Sequence, residues 1–368
     1  MSLSGPSVLG QRLIVKLEES RWSRALERML ERYQPAGIFL SRLRTPESAA
    51  AFVARVTRTL DAPPLLWLEA EGGGSSALNA FLPPLPSPRS VAERGPSAVE
   101  RQGELVGAAM RLLGFNTNCA PTLDLAPRDE SGNRATTLTF GSDPRCVARA
   151  GAAFAQGLTK LRILACAKYF PGANTAEGRP PAEHDVVAKP MTPLWHEDLV
   201  PYREVLARLP LVMVSNAAYK AYDFDILRPA TESTGILRGL LRLKLRYAGL
   251  AVADLTRTPE SGDALELANP VVRSIAAGCD LVIVPGDEKG LAATHAALES
   301  ASQLGKFRAG QIDETFKRLR NARKQITRPM GRISKVESER LARELEEFGR
   351  SIDPGDTARS ATSAGRQR

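Results

Sequence analysis

The chain has little of the material from which metal and redox sites are usually built. Its four cysteines show no C-x-x-C spacing, and no zinc-ligand pattern accompanies them. Cys119, Cys166 and Cys279 lie in or beside apolar runs, where a free cysteine usually behaves as a small core residue. The sequence therefore implies neither a metal nor another cofactor.

A long apolar run is also missing. Residues 1–17 lack a basic segment followed by a sustained apolar stretch, and no run approaches the length of a membrane span. We therefore expect a cytoplasmic protein with no membrane partner. Hydrophobic residues make up 43% and charged residues 25%, which is typical of a globular chain with a substantial core.

The net charge is positive, at +9 with an isoelectric point near 9.6. Much of the excess lies between residues 306 and 328, where Ile312, Phe316, Leu319 and Ile326 have helical spacing. No aromatic interleaving typical of nucleic-acid binding accompanies these charges. We interpret the segment as a solvated helix face and expect no nucleic-acid partner. The alternative, a basic nucleic-acid-binding helix, predicts salt-sensitive binding.

Short apolar runs alternate with helical periodicity along most of the chain. The predicted strands are 13–17, 37–40, 65–69, 116–125, 163–169, 211–216, 250–254 and 280–284. The predicted helices lie near 20–33, 46–60, 98–113, 144–160, 196–208, 230–245, 262–278 and 287–303. Eight such repeats predict an α/β fold, a (β/α)₈ or TIM barrel, as a single domain.

The rest of the chain fits around this one domain. The proline-rich stretch 81–97 is predicted to be a rigid loop, since the alternation continues across it. The domain, with a C-terminal helical extension, is predicted to cover residues 1–349. Residues 350–368 are small, polar and poor in apolar side chains, which predicts a disordered tail.

Polar side chains recur where the predicted strands end, and barrel active sites are built at the C-terminal ends of the strands. They are Glu69, Glu71, Asp124, Lys168, Asn216 and Asp254. Each one alone could simply solvate a strand end or cap the next helix. Together at one end of a barrel, they predict a functional site.

The same segments resemble the motifs of glycoside hydrolase family 3. L-L-W-L-E-A-E-G-G-G at 65–74 is similar to the family's D-x-E-G-G segment, and G-F-N-T-N-C-A-P-T-L-D-L at 114–125 is similar to its G-I-N-x-N-x-A-P-V-x-D block. Further similarities are F-G-S-D-P at 140–144, K-Y-F-P-G at 168–172, G-L-A-V-A-D-L at 249–255 and A-G-C-D-L at 277–281. The blocks follow the family's order, and the overall pattern is most similar to single-domain bacterial β-N-acetylhexosaminidases.

The resemblance implies retaining hydrolysis of glycosidic bonds, with Asp254 in the place of the nucleophile. It also implies a histidine acid/base on the loop after the fifth strand, paired with an aspartate in a D-x-H pattern. His184 is the candidate here, but Ala182 occupies the aspartate's place, and Glu183 and Asp185 flank the histidine. A helix-capping Asp254 and a solvent-facing His184 are the alternatives.

Several positions depart from the family's sugar-binding pattern. Glu69 replaces an aspartate, Leu138 an arginine, Tyr169 a histidine and Asn216 another histidine, whereas Lys168 is kept. The expected substrate-binding residues are Glu69, Glu71, Asp124, Lys168, Tyr169 and Asn216. The resemblance thus implies a carbohydrate partner, hydrolysis of amino-sugar-containing glycans and an altered substrate preference. The alternative is a degenerate member that binds a glycan or a protein without catalysis. The sequence indicates no oligomeric state.

Overall fold

Eight parallel strands close into a barrel in the computed structural model, which describes residues 6–73, 76–126, 138–172, 185–256, 266–327 and 333–353. The described residues form these eight strands and a separate pair, β6 and β8. In chain order they are β1 Leu13–Glu19, β2 Gly37–Arg42, β3 Leu65–Leu68, β4 Thr117–Asn118, β5 Leu164–Phe170, β6 Val186–Val187, β7 Leu211–Val214, β8 Ala218–Tyr219, β9 Leu250–Asp254 and β10 Leu281–Pro285. The barrel runs β1-β2-β3-β4-β5-β7-β9-β10 and closes from β10 to β1. The predicted (β/α)₈ fold is confirmed.

Helices precede β1, connect most of the successive barrel strands and follow β10. They are α1 Pro6–Gly10, α2 Arg24–Tyr33, α3 Pro46–Thr59, α4 Pro88–Glu93, α5 Pro96–Leu113, α6 Pro144–Lys160, α7 Met191–Pro193, α8 Leu199–Val205, α9 Ala268–Ala277, α10 Glu288–Gln303, α11 Gln311–Arg323 and α12 Lys335–Ile352. Two π-helical segments, Leu194–Asp198 and Gly235–Lys244, complete the connections on either side of β7. Side-chain caps begin several helices: Asp143, for example, accepts from the amide of Cys146, next to Pro144 in the first turn of α6.

Side chains alternate along each barrel strand between the interior and the surrounding helices. Outward residues such as Val15, Leu66 and Val212 pack in the same cluster as the helix residues. The inward residues form their own buried cluster, which includes Ile14, Phe39, Leu65, Trp67, Leu164, Cys166, Leu211, Met213, Leu250, Val252, Leu281 and Ile283. The barrel interior is therefore a packed core, and function is confined to its ends.

The fourth strand is shorter than predicted, since β4 covers only two residues of the predicted strand 116–125. Proline lacks the N–H that a central strand must donate, and Pro121 follows β4 closely. The chain beyond β4 still contacts β5, because the Lys168 amide donates to the Pro121 carbonyl over 3.0 Å. The β6–β8 pair was not predicted, and it joins the segment before α7 to the segment after β7.

Helix α11 closes the N-terminal end of the barrel. Its Leu319 and Ala322 join the interior cluster, while Arg318 donates to Asp280 Oδ1 over 2.9 Å and Arg323 donates to Gln11 Oε1 over 2.6 Å. The interpretation of 306–328 as a solvated face is therefore wrong for these two arginines. A buried carboxylate such as Asp280 requires charged partners, and α11 supplies one.

The C-terminal helix α12 continues past the predicted domain end at residue 349. Ile352 is buried, and Arg94 donates to its carbonyl over 2.7 Å, so packing holds the last turn where composition alone predicted a tail. The remainder of that predicted tail, 354–368, lies outside the described residues. Among the described helices, none is long and apolar enough to cross a bilayer.

Candidate active site

Charged residues end the inward-facing rows of four barrel strands. In β1, Lys16 follows the inward Ile14; Glu69, one residue past β3, follows Trp67; and in β5 and β9, Lys168 follows Cys166 and Asp254 follows Val252. Each charged residue is two positions beyond an apolar one, and strand side chains repeat with that period. The four side chains therefore point into the barrel at its C-terminal mouth.

The carboxylate of Asp254 is fixed at one oxygen. Its Oδ1 accepts from the Thr256 amide over 3.0 Å and from the Thr256 hydroxyl over 2.6 Å. Its Oδ2 lies 3.6 Å from Lys16 Nζ. The side chain remains 17% exposed, so the carboxylate is oriented but accessible at the barrel mouth.

Asn216 supports the same strand end. Its Nδ2 donates to the backbone carbonyl of Asp254 over 2.8 Å. Its Oδ1 is buried with no hydrogen-bond partner in the described part of the chain. The contact that Asn216 makes with this strand end therefore runs through its amide donor.

A second cluster of charges lies at the ends of β3 and β5. Lys168 Nζ lies 2.6 Å from Glu69 Oε1 and 2.7 Å from Glu71 Oε1, and the lysine side chain is only 2% exposed. The two oxygens of Glu71 also accept from the hydroxyl and amide of Thr122, over 2.9 and 2.8 Å. Glu71 is thereby held as an internal anchor, whereas the side chain of Glu69 remains 43% exposed.

The charge state of this lysine follows from its partners. Burial alone would lower the pKa of Lys168, but Glu69 and Glu71 outweigh burial and raise its pKa well above the ordinary lysine value. Lys168 is therefore a permanent cation at physiological pH.

Cys119 lies beneath both clusters. Burial raises the pKa of its thiol to about 12, and the charges of Lys168, Glu69, Asp254 and Glu71 all act on it. Cys119 packs in the interior cluster with Cys166 and Val252, the inward residues that precede Lys168 and Asp254 by two positions, so both clusters lie at the same end of the barrel. The thiol itself stays protonated and has no nucleophilic role at physiological pH.

Asp124 completes the arrangement beside β5. Its Oδ1 accepts from the Tyr169 amide over 3.2 Å and lies 3.5 Å from the Tyr202 hydroxyl. Burial, followed by the charge of Asp124, raises the pKa of Tyr202 well above its ordinary value. The tyrosine therefore remains a neutral donor to the carboxylate.

Two of the predicted catalytic residues, Glu183 and His184, lie outside the described residues. Asp185 is described, and its backbone carbonyl accepts from the Ala218 amide over 2.9 Å, next to the β6–β8 pair. The pair ties the end of the predicted acid/base loop to the segment just after Asn216. No group of three or more potential metal ligands occurs among the residues with described positions.

A groove of about 680 Å³ opens beside Asp254, over the ends of β1, β2 and β10. It shares Lys16 and Thr256 with the Asp254 environment and is otherwise lined by Leu17, Glu18, Ser41, Arg42, Pro285, Gly286 and Asp287. Its mixture of charged, hydroxyl and backbone groups offers both donors and acceptors, as polyhydroxylated ligands require.

The family is decided by a sequence comparison. The model described as "Glycosyl hydrolase family 3 N terminal domain" matches residues 8–322. The chain belongs to glycosyl hydrolase family 3. Its predicted family resemblance is confirmed.

Similarity to individual proteins supports the family assignment. The chain is 27% identical over 286 residues to a beta-hexosaminidase of Pseudomonas aeruginosa, an alignment covering 76% of this chain and 83% of that protein. It is 29% identical over 299 residues to a beta-N-acetylglucosaminidase/beta-glucosidase of Cellulomonas fimi, covering 77% of this chain and 51% of that one. A solved family 3 beta-N-acetylglucosaminidase from Paenibacillus sp. FPU-7 superposes with a TM-score of 0.81 at 25% identity, covering 95% of this chain and 69% of its own.

Three contributors to this family 3 site were missed by the sequence reasoning: Lys16, Thr122 and Thr256. The alternation in β1 could have revealed Lys16, because Ile14 faces inward and the residue two positions later must do the same. The two threonines act through loop contacts with Asp254 and Glu71, for which neither spacing nor composition carries a signal.

The residues that differ from the family's sugar-binding pattern each have different surroundings in the structure. Glu69 reaches Lys168 with its longer side chain, Tyr169 places its ring 5.7 Å from the same ammonium, and Asn216 supports the Asp254 backbone. Leu138 is half-buried and supplies no hydrogen-bond donor from its side chain. A sugar at this mouth would therefore meet a different donor set from the one that the family pattern implies.

Proposed function

We propose that the protein is a retaining glycoside hydrolase that cleaves O-glycosidic bonds of N-acetylated amino sugars, with Asp254 as its nucleophile. The observation that carries the proposal is the anchored, accessible carboxylate of Asp254 at the C-terminal end of β9. Membership of glycosyl hydrolase family 3 supports the chemistry. The named activities of the Pseudomonas and Paenibacillus proteins support the amino-sugar class.

In this mechanism Asp254 Oδ2 attacks the anomeric carbon, because Oδ1 is already occupied by two hydrogen bonds from Thr256. The glycosidic bond breaks, and its electron pair remains on the leaving oxygen, which takes a proton from the general acid. Water then attacks the same carbon, gives a proton to the conjugate base, and releases the Asp254 carboxylate. The anomeric configuration is retained after two inversions.

We propose His184 as the acid/base, by its place on the loop after the fifth barrel strand. Glu183 and Asp185 are the neighbouring carboxylates that could orient its imidazole. At the sugar itself, the proposed binding residues are Glu69, Asp124, Tyr169 and Asn216. The proposed role of Lys168 and Glu71 is to hold Glu69 in place, since both side chains are internally paired.

Assay of the native chain against a panel of aryl β-glycosides tests the proposal. We expect turnover of an N-acetylglucosaminide or a related amino sugar, with the first product keeping the anomeric configuration. A 5-fluoro glycosyl fluoride of the accepted sugar should leave one sugar on the peptide that contains Asp254, as measured by mass spectrometry. Absence of turnover on every sugar would refute the hydrolase; sugar binding without turnover would favour the degenerate, ligand-binding alternative.

His184→Ala separates the acid/base role from a loop histidine. We expect kcat/KM to fall by about 100-fold for substrates with poor leaving groups, because they need a proton as the bond breaks. Nitrophenyl glycosides, whose leaving groups need little protonation, should retain most of their kcat/KM. His196→Ala, on the π-helical segment before α8, serves as the matched control. Equal loss with both kinds of substrate would exclude His184 as the acid.

A further inference from the structure

Lys16 is a largely buried cation beside the proposed nucleophile. Its side chain is only 11% exposed, its Nζ donates to the Thr256 hydroxyl over 2.9 Å, and the same Nζ lies 3.6 Å from Asp254 Oδ2. The ammonium also lies 5.1 Å from the centre of the Phe39 ring. Strand β1 and the aromatic ring therefore hold a positive charge against the oxygen that would bond to the sugar.

The partners of Lys16 make this charge specific to Asp254. Among the described residues, Asp254 is the only carboxylate that forms an ion pair with Lys16. The lysine also binds the hydroxyl that donates to Asp254 Oδ1. Among the other charged groups around the mouth, Glu18, Arg42 and Asp287 line the groove, Glu69 and Glu71 pair with Lys168, and Asp124 accepts from the Tyr169 amide.

We propose that Lys16 is a positioning residue that favours release of the sugar from Asp254, and so speeds the second displacement relative to the first. The inference rests on the proposed retaining mechanism. It adds a residue whose charge has opposite effects on the rates of the two displacements. It follows from where negative charge resides on Asp254 in each step, together with the position of the cation.

In the first step, the bond from Asp254 Oδ2 to the anomeric carbon forms and the carboxylate loses its negative charge. The glycosidic bond breaks, and its electron pair goes to the leaving oxygen. In the second step, water bonds to the anomeric carbon while the Oδ2 bond breaks, and its electron pair returns to the carboxylate beside Lys16. A fixed cation opposes the loss of that charge and favours its return.

Lys16→Met tests the division of steps with an aryl glycoside whose leaving group departs readily. We expect kcat, which then reports the second step, to fall about tenfold. The value of kcat/KM, which reports the first step, should stay unchanged or rise, so KM should fall with kcat. Rapid mixing should show a burst of aryl release near the enzyme concentration, followed by a steady-state rate about tenfold slower than that of the native chain.

Lys16→Arg keeps the charge and should restore kcat and the native steady-state rate after the burst, even if the methionine variant folds poorly. Lys160→Met provides a matched control, because that lysine pairs with Glu100 and Glu104 on exposed helix surfaces; its kinetic constants should equal those of the native chain. An equal fall of kcat and kcat/KM in Lys16→Met, with no burst, would overturn the role of Lys16 and leave the hydrolase standing. A native chain inactive on every sugar would instead refute the hydrolase itself, and with it this inference.

Discussion

Asp254→Asn is expected to lower kcat on the best aryl glycoside by on the order of 10⁴-fold, the scale seen when a group essential to covalent catalysis is removed. The amide nearly matches the carboxylate in shape and can still accept the two hydrogen bonds from Thr256. It cannot act as an anionic nucleophile. The loss should therefore appear in turnover while the proposed sugar-binding residues remain in place.

Chemical rescue distinguishes a lost nucleophile from a disturbed site. Asp254→Gly opens space beside the anomeric carbon, and added azide should restore turnover of an aryl β-glycoside and give the α-glycosyl azide. Asp313→Asn, at an exposed position of α11, is the matched control and should keep native kinetics. Native-like turnover by Asp254→Asn, or azide rescue with retained configuration, would contradict the assignment of Asp254.

Most of the barrel could be predicted because each of its strands is short, apolar and followed by a helical pattern. The bounds of β9 were predicted without error, and so the position of Asp254 at a strand end followed directly. The fourth strand was overpredicted, since apolar content continues after Asn118 although Pro121 cannot pair as a central strand residue does. Apolar content indicates burial, and burial does not require a regular ladder.

The site was less predictable than the fold because its residues act through tertiary contacts. Glu69, Glu71 and Lys168 were predicted as separate sugar ligands, yet their charges are largely directed at one another. Lys16 was passed over inside an apolar strand, although its alternation with Ile14 placed it at the mouth. A resemblance to a family indicates which sequence positions belong to the site. Which charged side chains pair with one another depends on their lengths and directions in this chain.

The contacts of charged residues on helix α11, at the opposite end of the barrel, were equally hard to predict from the sequence. Its charge excess indicated an exposed surface, but composition does not tell which basic side chains turn inward. Arg318 does so because Asp280, 2% exposed in its side chain, needs positive partners beyond Arg242. Basic residues that pair with a buried acid thus stabilise the fold. Only the other basic residues of α11 contribute to the charged outer surface.

Lys168→Met is expected to lower the free energy of unfolding by about 3–5 kcal/mol, because it leaves the largely buried Glu71 without its cation. The pKa of Lys168 is raised, so its contribution is fully present below the ordinary lysine value and is lost only as pH rises through the raised one. Denaturant unfolding at about pH 8 therefore measures it in full. Lys160→Met, which removes an exposed ion-paired lysine, should change stability little.

A double variant tests whether an unpaired charge causes this loss. In Lys168→Met/Glu71→Gln, the glutamine can still accept from the Thr122 amide but carries no charge to leave uncompensated. We expect the double variant to unfold at a higher denaturant concentration than Lys168→Met alone. Its turnover should stay low, because Glu69 has still lost the ammonium that it contacts at 2.6 Å. Equal instability of the single and double variants would show that packing around Lys168, rather than charge pairing, stabilises this end of the barrel.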